Sequence, residues 1–256
     1  GIRDLSEGYE KAVACFFVSQ GNLDLVRRQL ATPIEHASVI RNPFNVSYQA
    51  APEWPAMNEV YRLACVARLE PKAKGQDILF EVLGQKKWRQ RKLEVSLFGS
   101  GPNRVGLMKL KELYQLTNVT FRGFTTDIEQ VWRDHHALVL PSRYEGLPLA
   151  LVEAMLCGRP CIVTDVAGNA ELIEDNVSGF VAAAPSASSL DEALERAWER
   201  RTEWESMGQV ASRQIRNAVS EDPTGTFVSC LMNLEPELRV GGSANLSALH
   251  AATELQ

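Results

Sequence analysis

The segment 137–182 constrains the fold more than any other part of the sequence. Its first four residues, Ala137–Leu140, form an apolar run typical of a strand that is buried on both faces. A polar loop follows, and a helix is predicted from Pro148, because a helix tolerates proline in its first turn. Gly158 ends this helix, and Pro160–Thr164 predicts the next strand. The segment therefore indicates the order strand, loop, helix, strand.

The same alternation extends over the sequence from residue 60 onward. Apolar runs predict further strands at Tyr61–Ala67, Leu93–Phe98, Val119–Gly123 and Phe180–Ala183. Helical periodicity predicts helices at Gln76–Gln85, Asn103–Leu116 and Asp127–His135, one or two over Ser188–Val219, and a short one at Thr226–Leu234. This pattern is typical of an α/β fold with a Rossmann-like parallel sheet and helices on both faces.

A parallel sheet of this kind binds ligands outside the carboxyl ends of its strands. We therefore expect the loops that follow four of the strands to meet at one edge; these loops are 68–75, 99–103, 123–126 and 141–148.

The sequence before residue 60 predicts a smaller unit. Strands are expected at Ala12–Ser19 and Ala37–Ile40, with a helix over about 21–30 between them. Residues 1–10 are polar and predict a loose segment or a short helix. Asn45–Asn58, rich in Pro and Ala, predicts a surface loop.

Two carboxylates and a glycine lie around the start of the helix at Pro148. A helix N-terminus approached by a glycine, here Gly146, offers free amides and a positive dipole end to a phosphate. Glu153 could accept hydrogen bonds from paired hydroxyls such as those of a ribose, and Glu145 could face the far side of the phosphates. Alternatively, Glu145 is a solvated loop charge and Glu153 only complements the helix dipole.

Two cations follow the strand at Tyr61–Ala67. Arg68 and Lys74 could neutralise a diphosphate leaving group, or they could be ordinary surface cations. Lys72 competes with Lys74 for this role. Gly99-Ser100-Gly101 also follows a strand, but Arg104 stands where a third glycine would complete a dinucleotide fingerprint.

Glu145 and Glu153 are separated by seven residues in PSRYEGLPLALVEAMLCGRPCIVTDVAGNAELI. This segment resembles the donor-binding domain of retaining GT-B glycosyltransferases of the family-4, glycosyl-group-1 type. The resemblance covers about residues 35–220. It extends through Arg68-Leu69, Lys74-Gly75, Gly99-Ser100-Gly101, Val119–Gly123 and Asn169-Ala170-Glu171.

The resemblance implies a GT-B C-terminal domain and a role for each part of the chain. Residues 41–234 would form the nucleotide-sugar donor domain, 1–40 a remnant of the N-terminal acceptor domain and linker, and 235–256 a tail. The enzyme would be a hexosyltransferase-type glycosyltransferase that moves a sugar to a hydroxyl acceptor with retention. Because little of the acceptor domain is expected, the alternative is a donor-binding fragment without transfer activity. A GT-B sugar-nucleotide epimerase and a nicotinamide oxidoreductase are less favoured.

The resemblance also implies the site residues. Arg68 and Lys74 would stabilise the departing diphosphate, Glu145 would contact the donor sugar, and Glu153 would bind ribose. Lys74 is preferred to Lys72 because Gly75 follows it. The remaining donor-binding residues would be Gly99, Gly101, Gly123, Phe124, Gly146, Leu147, Pro148 and Leu149.

Charge and composition limit the kinds of partner that the protein is expected to bind. The net charge of −5 argues against a nucleic-acid partner. No apolar run reaches the roughly 18–20 residues that span a bilayer. The resemblance implies a nucleotide-diphosphate sugar as donor substrate, UDP- rather than GDP-linked, without a further cofactor. It implies a glycan, lipid or small-molecule acceptor in the full-length enzyme, and peripheral membrane contact through the absent domain.

The cysteines and histidines do not predict a metal site. The five cysteines are scattered; Cys15, Cys65 and Cys161 lie in apolar runs typical of small core residues, which indicates a reducing compartment, and we expect the protein to be cytoplasmic. His135 and His136 are adjacent, so they would face different directions, and we expect a helix-terminal or surface role. No Asp-x-Asp triplet occurs in the sequence.

Overall fold

The structure, a computed structural model, describes residues 2–56 and 59–240 of the chain. In chain order the strands are β1 Cys15–Phe17, β2 Ala37–Val39, β3 Tyr61–Val66, β4 Leu93–Phe98, β5 Val119–Gly123, β6 Ala137–Leu140, β7 Cys161–Thr164 and β8 Gly179–Ala182. The helices are α1 Ile2–Lys11, α2 Gln20–Leu30, α3 Pro71–Lys74, α4 Gln76–Leu83, α5 Lys86–Arg89, α6 Arg104–Leu113, α7 Ile128–Asp134, α8 Leu149–Leu156, α9 Ala187–Glu199, α10 Trp204–Ala218 and α11 Pro223–Val240.

The main sheet has the strand order β5-β4-β3-β6-β7-β8, and all its pairs are parallel. This confirms the predicted α/β fold. From β3 the chain builds β4 and β5 on one side, then returns to add β6 and the later strands on the other. The strand order therefore reverses between β3 and β6. A crevice opens at such a reversal, because the connections after the two strands leave in opposite directions.

The apolar runs form strands because both faces of the sheet are covered. In β6, Ala137 and Val139 belong to the core on one face, and Leu138 and Leu140 belong to the core on the other. Helices α4 and α9 supply apolar side chains to the first face, while α7 and α8 supply them to the second. Period-two alternation then requires apolar residues at every position, as the sequence of β6 has.

The N-terminal unit is a separate two-stranded parallel sheet of β1 and β2 with helices α1 and α2. Cys15, Phe17, Leu23 and Ile34 form its small core. The predicted strands and the helix between them are confirmed, and residues 2–11 form the short helix rather than a loose segment.

The C-terminal helix reaches this N-terminal unit. The rings of Phe227 in α11 and Phe16 in β1 meet edge to face, with 5.2 Å between their centroids. Helix α11 begins before the predicted Thr226 and continues past Leu234 to Val240, so this helix is longer than predicted. Residues 241–256 of the predicted tail lie outside the described residues.

The predicted surface loop at 45–58 is partly wrong. Its described residues lack helix and strand, but Val46 and Ala50 are buried in the core against α8 and α10. The Tyr48 hydroxyl donates a hydrogen bond of 2.7 Å to the carbonyl of Arg216. The segment is therefore an extended strap across the domain, which the abundance of Pro and Ala did not reveal.

The expected surface role of His135 and His136 is also wrong, although they do follow helix α7. Both are buried, and His136 lies between the rings of Trp54 and Tyr61 at centroid distances of 5.5 and 5.6 Å. The backbone amide of Arg62 donates to Nδ1 of His136. Burial, with smaller effects from nearby arginines, lowers the pKa of His136 to about 4. The imidazole is therefore neutral in the folded protein.

Replacing His136 should change how stability depends on pH. Unfolded histidine titrates near pH 6.5, so between about pH 6.5 and 4 the unfolded chain binds more protons than the folded one, and acidification destabilises the fold. This histidine alone should cost about 2 kcal/mol of unfolding free energy between pH 7.5 and pH 5. Urea denaturation at both pH values should show a smaller loss for His136→Gln than for wild type. The exposed His36, changed to Gln, is the matched control, and equal losses in all three proteins would contradict the prediction.

Candidate functional site

A cleft of about 630 Å³ opens at the carboxyl edge of the main sheet, where the strand order reverses. The loops after β3, β4, β5 and β6 all contribute to it, as the parallel sheet predicts. Of the residues proposed from the sequence, eight line this cleft: Arg68, Lys74, Gly99, Phe124, Glu145, Pro148, Leu149 and Glu153. Asn45, Val66, Ala67, Phe98, Ser100, Thr125, Thr126, Ile128 and Ala150 complete the lining.

Lys74 and Glu145 form an ion pair across the reversal. The Lys74 ammonium donates to both carboxylate oxygens of Glu145 at 2.8 Å, and the Ser142 hydroxyl donates to Oε1 at 2.7 Å. Glu145 and Ser142 are buried, so Glu145 is not the solvated loop charge that the alternative interpretation required. Lys72 is exposed and Lys74 is half-buried on the cleft, which favours Lys74 over its competitor.

The backbones of the two loops touch beside this pair. Gly75 has a φ of 64°, and a Cβ atom there would lie 1.9 Å from the carbonyl oxygen of Pro141. The amides of Arg143 and Tyr144 donate to the carbonyl of Ala73 at 2.8 and 3.0 Å. Only glycine can supply both this backbone conformation and this close approach.

An ion pair between side chains strengthens the same junction. The Arg143 guanidinium donates to both carboxylate oxygens of Asp77 at 2.5 and 2.8 Å, and to the carbonyl of Pro71 at 2.8 Å. Two parallel bonds of this kind fix the orientation of the Arg143 side chain as well as its distance from Asp77. Ser142, Arg143 and Asp77 were not predicted from the sequence, although Ser142 and Arg143 lie within the segment PSRYEGL.

Arg68 lies at the rim of the cleft. Its side chain is 61% exposed and pairs with Glu70 at 2.7 Å. A charge-assisted contact this exposed contributes little to folding stability. Arg68 can therefore turn toward a ligand at small cost to the fold.

Two of the proposed glycines lie where the loop after β4 crosses the loop after β3. A Cβ atom on Gly99 would lie 2.2 Å from the carbonyl oxygen of Ala67, and one on Gly101 would lie 2.5 Å from that of Leu69. Gly99 lines the cleft, but Gly101 is not among the lining residues. Contact between the two loops therefore explains both glycines without any ligand.

Of the two proposed residues at the end of β5, Phe124 lines the cleft and Gly123 does not. Gly123 accepts a hydrogen bond from the Gly99 amide at 2.8 Å and lies outside the cleft lining. Phe124 lines the cleft and is 75% exposed as a residue. An exposed aromatic ring at a cleft rim is available for stacking.

The loop that leads into helix α8 divides its residues between the cleft and the interior. Leu147 packs in the core, and the carbonyl of Gly146 accepts hydrogen bonds from the Ser19 hydroxyl and the Gly168 amide, each at 3.1 Å. Pro148 and Leu149 line the cleft. Within the described part of the chain, the amides of Gly146, Leu147 and Leu149 donate no hydrogen bond, and of these three residues Leu149 lines the cleft.

Glu153 is held by a residue that the sequence analysis missed. It is only 2% exposed, and its Oε1 accepts hydrogen bonds from the backbone amide and the side-chain amide of Asn45, both at 2.9 Å. Burial raises the pKa of Glu153, while the two bonds from Asn45 lower it. Asn45 is distant in sequence, so no local signal links the two residues.

Metal-ligating side chains do not cluster in the described ranges 2–56 and 59–240. There, no group of three or more His, Cys, Asp or Glu side chains is placed to hold a metal ion. The cysteines are free, and burial raises the pKa of Cys65 and Cys157 to about 12. Cys15, Cys65 and Cys161 are buried, which confirms their predicted place in the core. No helix in these ranges is both long and apolar enough to cross a membrane.

Comparison with known proteins decides the family. The family model described as Glycosyl transferases group 1 matches residues 60–200, which include the main sheet and most of the cleft. The chain belongs to this family. The resemblance drawn from the sequence is thereby confirmed at the level of the family.

Relatives of this group 1 member include the Vi polysaccharide biosynthesis protein VipC/TviE of Salmonella typhi, which is 33% identical over 141 residues. That alignment covers 53% of this chain and 24% of the relative. The chain therefore spans about a quarter of the length of the relative.

Two solved structures share the fold. A mutant of S. aureus TarM, in complex with fondaparinux, alpha-GlcNAc-glycerol and UDP, has a TM-score of 0.77 at 21% identity, over 91% of this chain and 45% of TarM. Anabaena HepE in complex with UDP-glucose has a TM-score of 0.76 at 20% identity, over 91% of this chain and 67% of HepE. These likenesses confirm the α/β architecture of the group 1 chain.

The close contact at Gly75 predicts that alanine lowers the unfolding free energy at this glycine but raises it at Gly106. Gly75→Ala should lower the unfolding free energy by at least about 2 kcal/mol, because the methyl group overlaps a backbone oxygen and φ is positive. Gly106→Ala should raise it by about 0.5–1 kcal/mol, because Gly106 is in helix α6 with nothing within 4 Å of the added atom. Denaturant unfolding measures both, and a neutral Gly75→Ala would contradict the close approach.

Proposed function

We propose that this domain binds the nucleotide diphosphate of a sugar donor, and that the whole enzyme transfers the sugar to a hydroxyl acceptor with retention. The observation that carries the proposal is the Lys74–Glu145 pair, fixed in the cleft beside the unpaired amides at the start of helix α8. A cation and free amides can bind the negative charge of a diphosphate, and a carboxylate can stabilise positive charge on the sugar that is transferred.

The phosphates would lie between the loop after β3 and the start of helix α8. Lys74 and Arg68 would place positive charge on one side of the phosphates. On the other side, the unpaired amides of Gly146, Leu147 and Leu149 would donate hydrogen bonds to them. When the bond between the anomeric carbon and the diphosphate breaks, the electron pair leaves with the phosphate. These groups would stabilise the negative charge that develops there.

The rest of the donor would extend in both directions from the phosphates. Glu153 would accept hydrogen bonds from the ribose hydroxyls, and the exposed ring of Phe124 would border the base. Glu145 would contact the donor sugar and support the positive charge that develops at its anomeric carbon. Both oxygens of this carboxylate accept hydrogen bonds from Lys74, which fixes its position in the cleft.

Two solved structures with the same fold support UDP as the nucleotide. The HepE structure is described as a complex with UDP-glucose, and the TarM structure as a complex that includes UDP. We therefore propose a UDP-sugar rather than a GDP-sugar for this chain, and no cofactor beyond the donor. The proposal includes a C-terminal position of this domain in the enzyme, a glycan, lipid or small-molecule acceptor, peripheral membrane contact through the acceptor domain, and a cytoplasmic location.

Replacing the cations tests the diphosphate assignment. Arg68→Ala and Lys74→Ala should each weaken UDP binding by about 10- to 100-fold, because each removes a charge-assisted contact of about 1.5–3 kcal/mol. The same variants should bind uridine almost as well as wild type. Calorimetric titrations with UDP and uridine measure the difference.

Lys72→Ala is the matched control, since Lys72 is an exposed cation two residues from Lys74. It should leave both affinities unchanged. Thermal unfolding of Lys74→Ala is measured in parallel, because this change leaves the buried Glu145 without its cation. Equal losses for UDP and uridine would refute the assignment of either cation to the phosphates.

A further inference from the structure

Residues 41–47, which lead from the N-terminal unit into the main domain, meet that domain through three carboxylates. The Arg41 guanidinium pairs with Glu171, and the Ser47 amide donates to Glu129 at 2.9 Å. Between them, Asn45 donates twice to Glu153. Of these three carboxylates, Glu153 is the one that lines the cleft.

We propose that Asn45 is a positioning residue for nucleotide recognition: it holds one oxygen of Glu153 so that the other faces the ribose of the donor. This inference rests on the proposed function. It adds a residue from outside the main sheet to the binding of the nucleotide.

The hydrogen bonds determine which oxygen is free. Both bonds from Asn45 go to Oε1, and Oε2 of Glu153 accepts none from the described residues. Two donors on one oxygen fix the plane of the carboxylate, because the backbone amide and the side-chain amide approach from different directions. Oε2 is then the acceptor presented to the ribose hydroxyls.

Asn45 also favours the ionised form of Glu153. Burial raises the pKa of Glu153, and the bonds from Asn45 are what lower it. Another titratable group near it is Cys157, just after the end of helix α8, and Glu129 in α7 interacts in turn with Cys157. Charged groups across the cleft are Arg68, Lys74 and Glu145. Changing Asn45 replaces none of these groups. A shift in the pKa of Glu153 in that variant therefore reports the lost hydrogen bond.

The test compares two ligands that differ only in the ribose. Asn45→Ala removes the side-chain donor and keeps the backbone one. It should weaken UDP binding by about 5-fold, the effect of one hydrogen bond. It should leave the binding of 2′,3′-dideoxy-UDP, which lacks both hydroxyls, unchanged. Ser47→Ala is the matched control, because Ser47 contacts Glu129 through its backbone amide, and both affinities should stay at their wild-type values.

A second readout needs no nucleotide. Carbon-13 NMR of the Glu153 carboxyl, identified by its loss in Glu153→Gln, should show this group titrating at a higher pH in Asn45→Ala than in wild type. The acid limb of UDP binding should move to higher pH in the same variant. A merely structural role for Asn45 would change stability without moving either pH value.

The outcomes separate this inference from the function on which it rests. Equal weakening of UDP and dideoxy-UDP, no weakening of either, or an unshifted Glu153 titration would each overturn the role of Asn45 and leave the donor site intact. A wild-type protein that binds neither ligand would overturn the proposed function, and the ribose role of Asn45 with it. Selective loss for UDP together with the shifted titration supports the inference.

Discussion

The geometry of the cleft depends on one backbone contact between the loops that follow β3 and β6. The carbonyl of Ala73 accepts the amides of Arg143 and Tyr144, and Gly75 passes against Pro141. β3 and β6 are paired neighbours, but the chain leaves them in opposite directions where the strand order reverses, so the loops beyond the strand ends need a contact of their own. The contact brings Lys74 within 2.8 Å of Glu145, although the two residues are far apart in sequence.

Burial makes this alignment necessary. An ionised carboxylate in the interior is stable only with a partner, and each cleft carboxylate has one of its own. Glu145 has Lys74 and Ser142, whereas Glu153 has the neutral amides of Asn45. A ligand phosphate must therefore share Lys74 with Glu145, while a ribose can approach Glu153 without displacing a cation. The two ends of the cleft therefore differ in charge: one has a cation beside its carboxylate, and the other has neutral amides.

The sequence predicted the sheet well because apolar periodicity is local. The boundaries of β4, β5 and β6 match their predicted limits; β6 is a continuous apolar run buried on both faces, whereas β4 and β5 include polar residues at exposed positions. The convergence of the loops followed from the parallel sheet alone. Eight of the proposed residues meet in one cleft because the resemblance supplied motifs in the correct order.

What the sequence could not show are contacts between distant residues. Asn45 binds Glu153 across 108 positions, and no pattern around Asn45 distinguishes it from other residues in a Pro- and Ala-rich stretch. The burial of His136 depends on Trp54 and Tyr61, which arrive from two other segments. Short helices such as α3 contain too few residues for a period to be recognised.

The glycines at the loop crossings bear on how variation among related chains should be interpreted. Gly75, Gly99 and Gly101 are each required by an approaching carbonyl oxygen of the chain itself. Their retention during divergence would therefore preserve the way the loops cross, whatever sugar or base a descendant came to use. Changes of specificity are to be sought instead at positions such as Phe124, whose exposed side chain can be exchanged without moving a backbone.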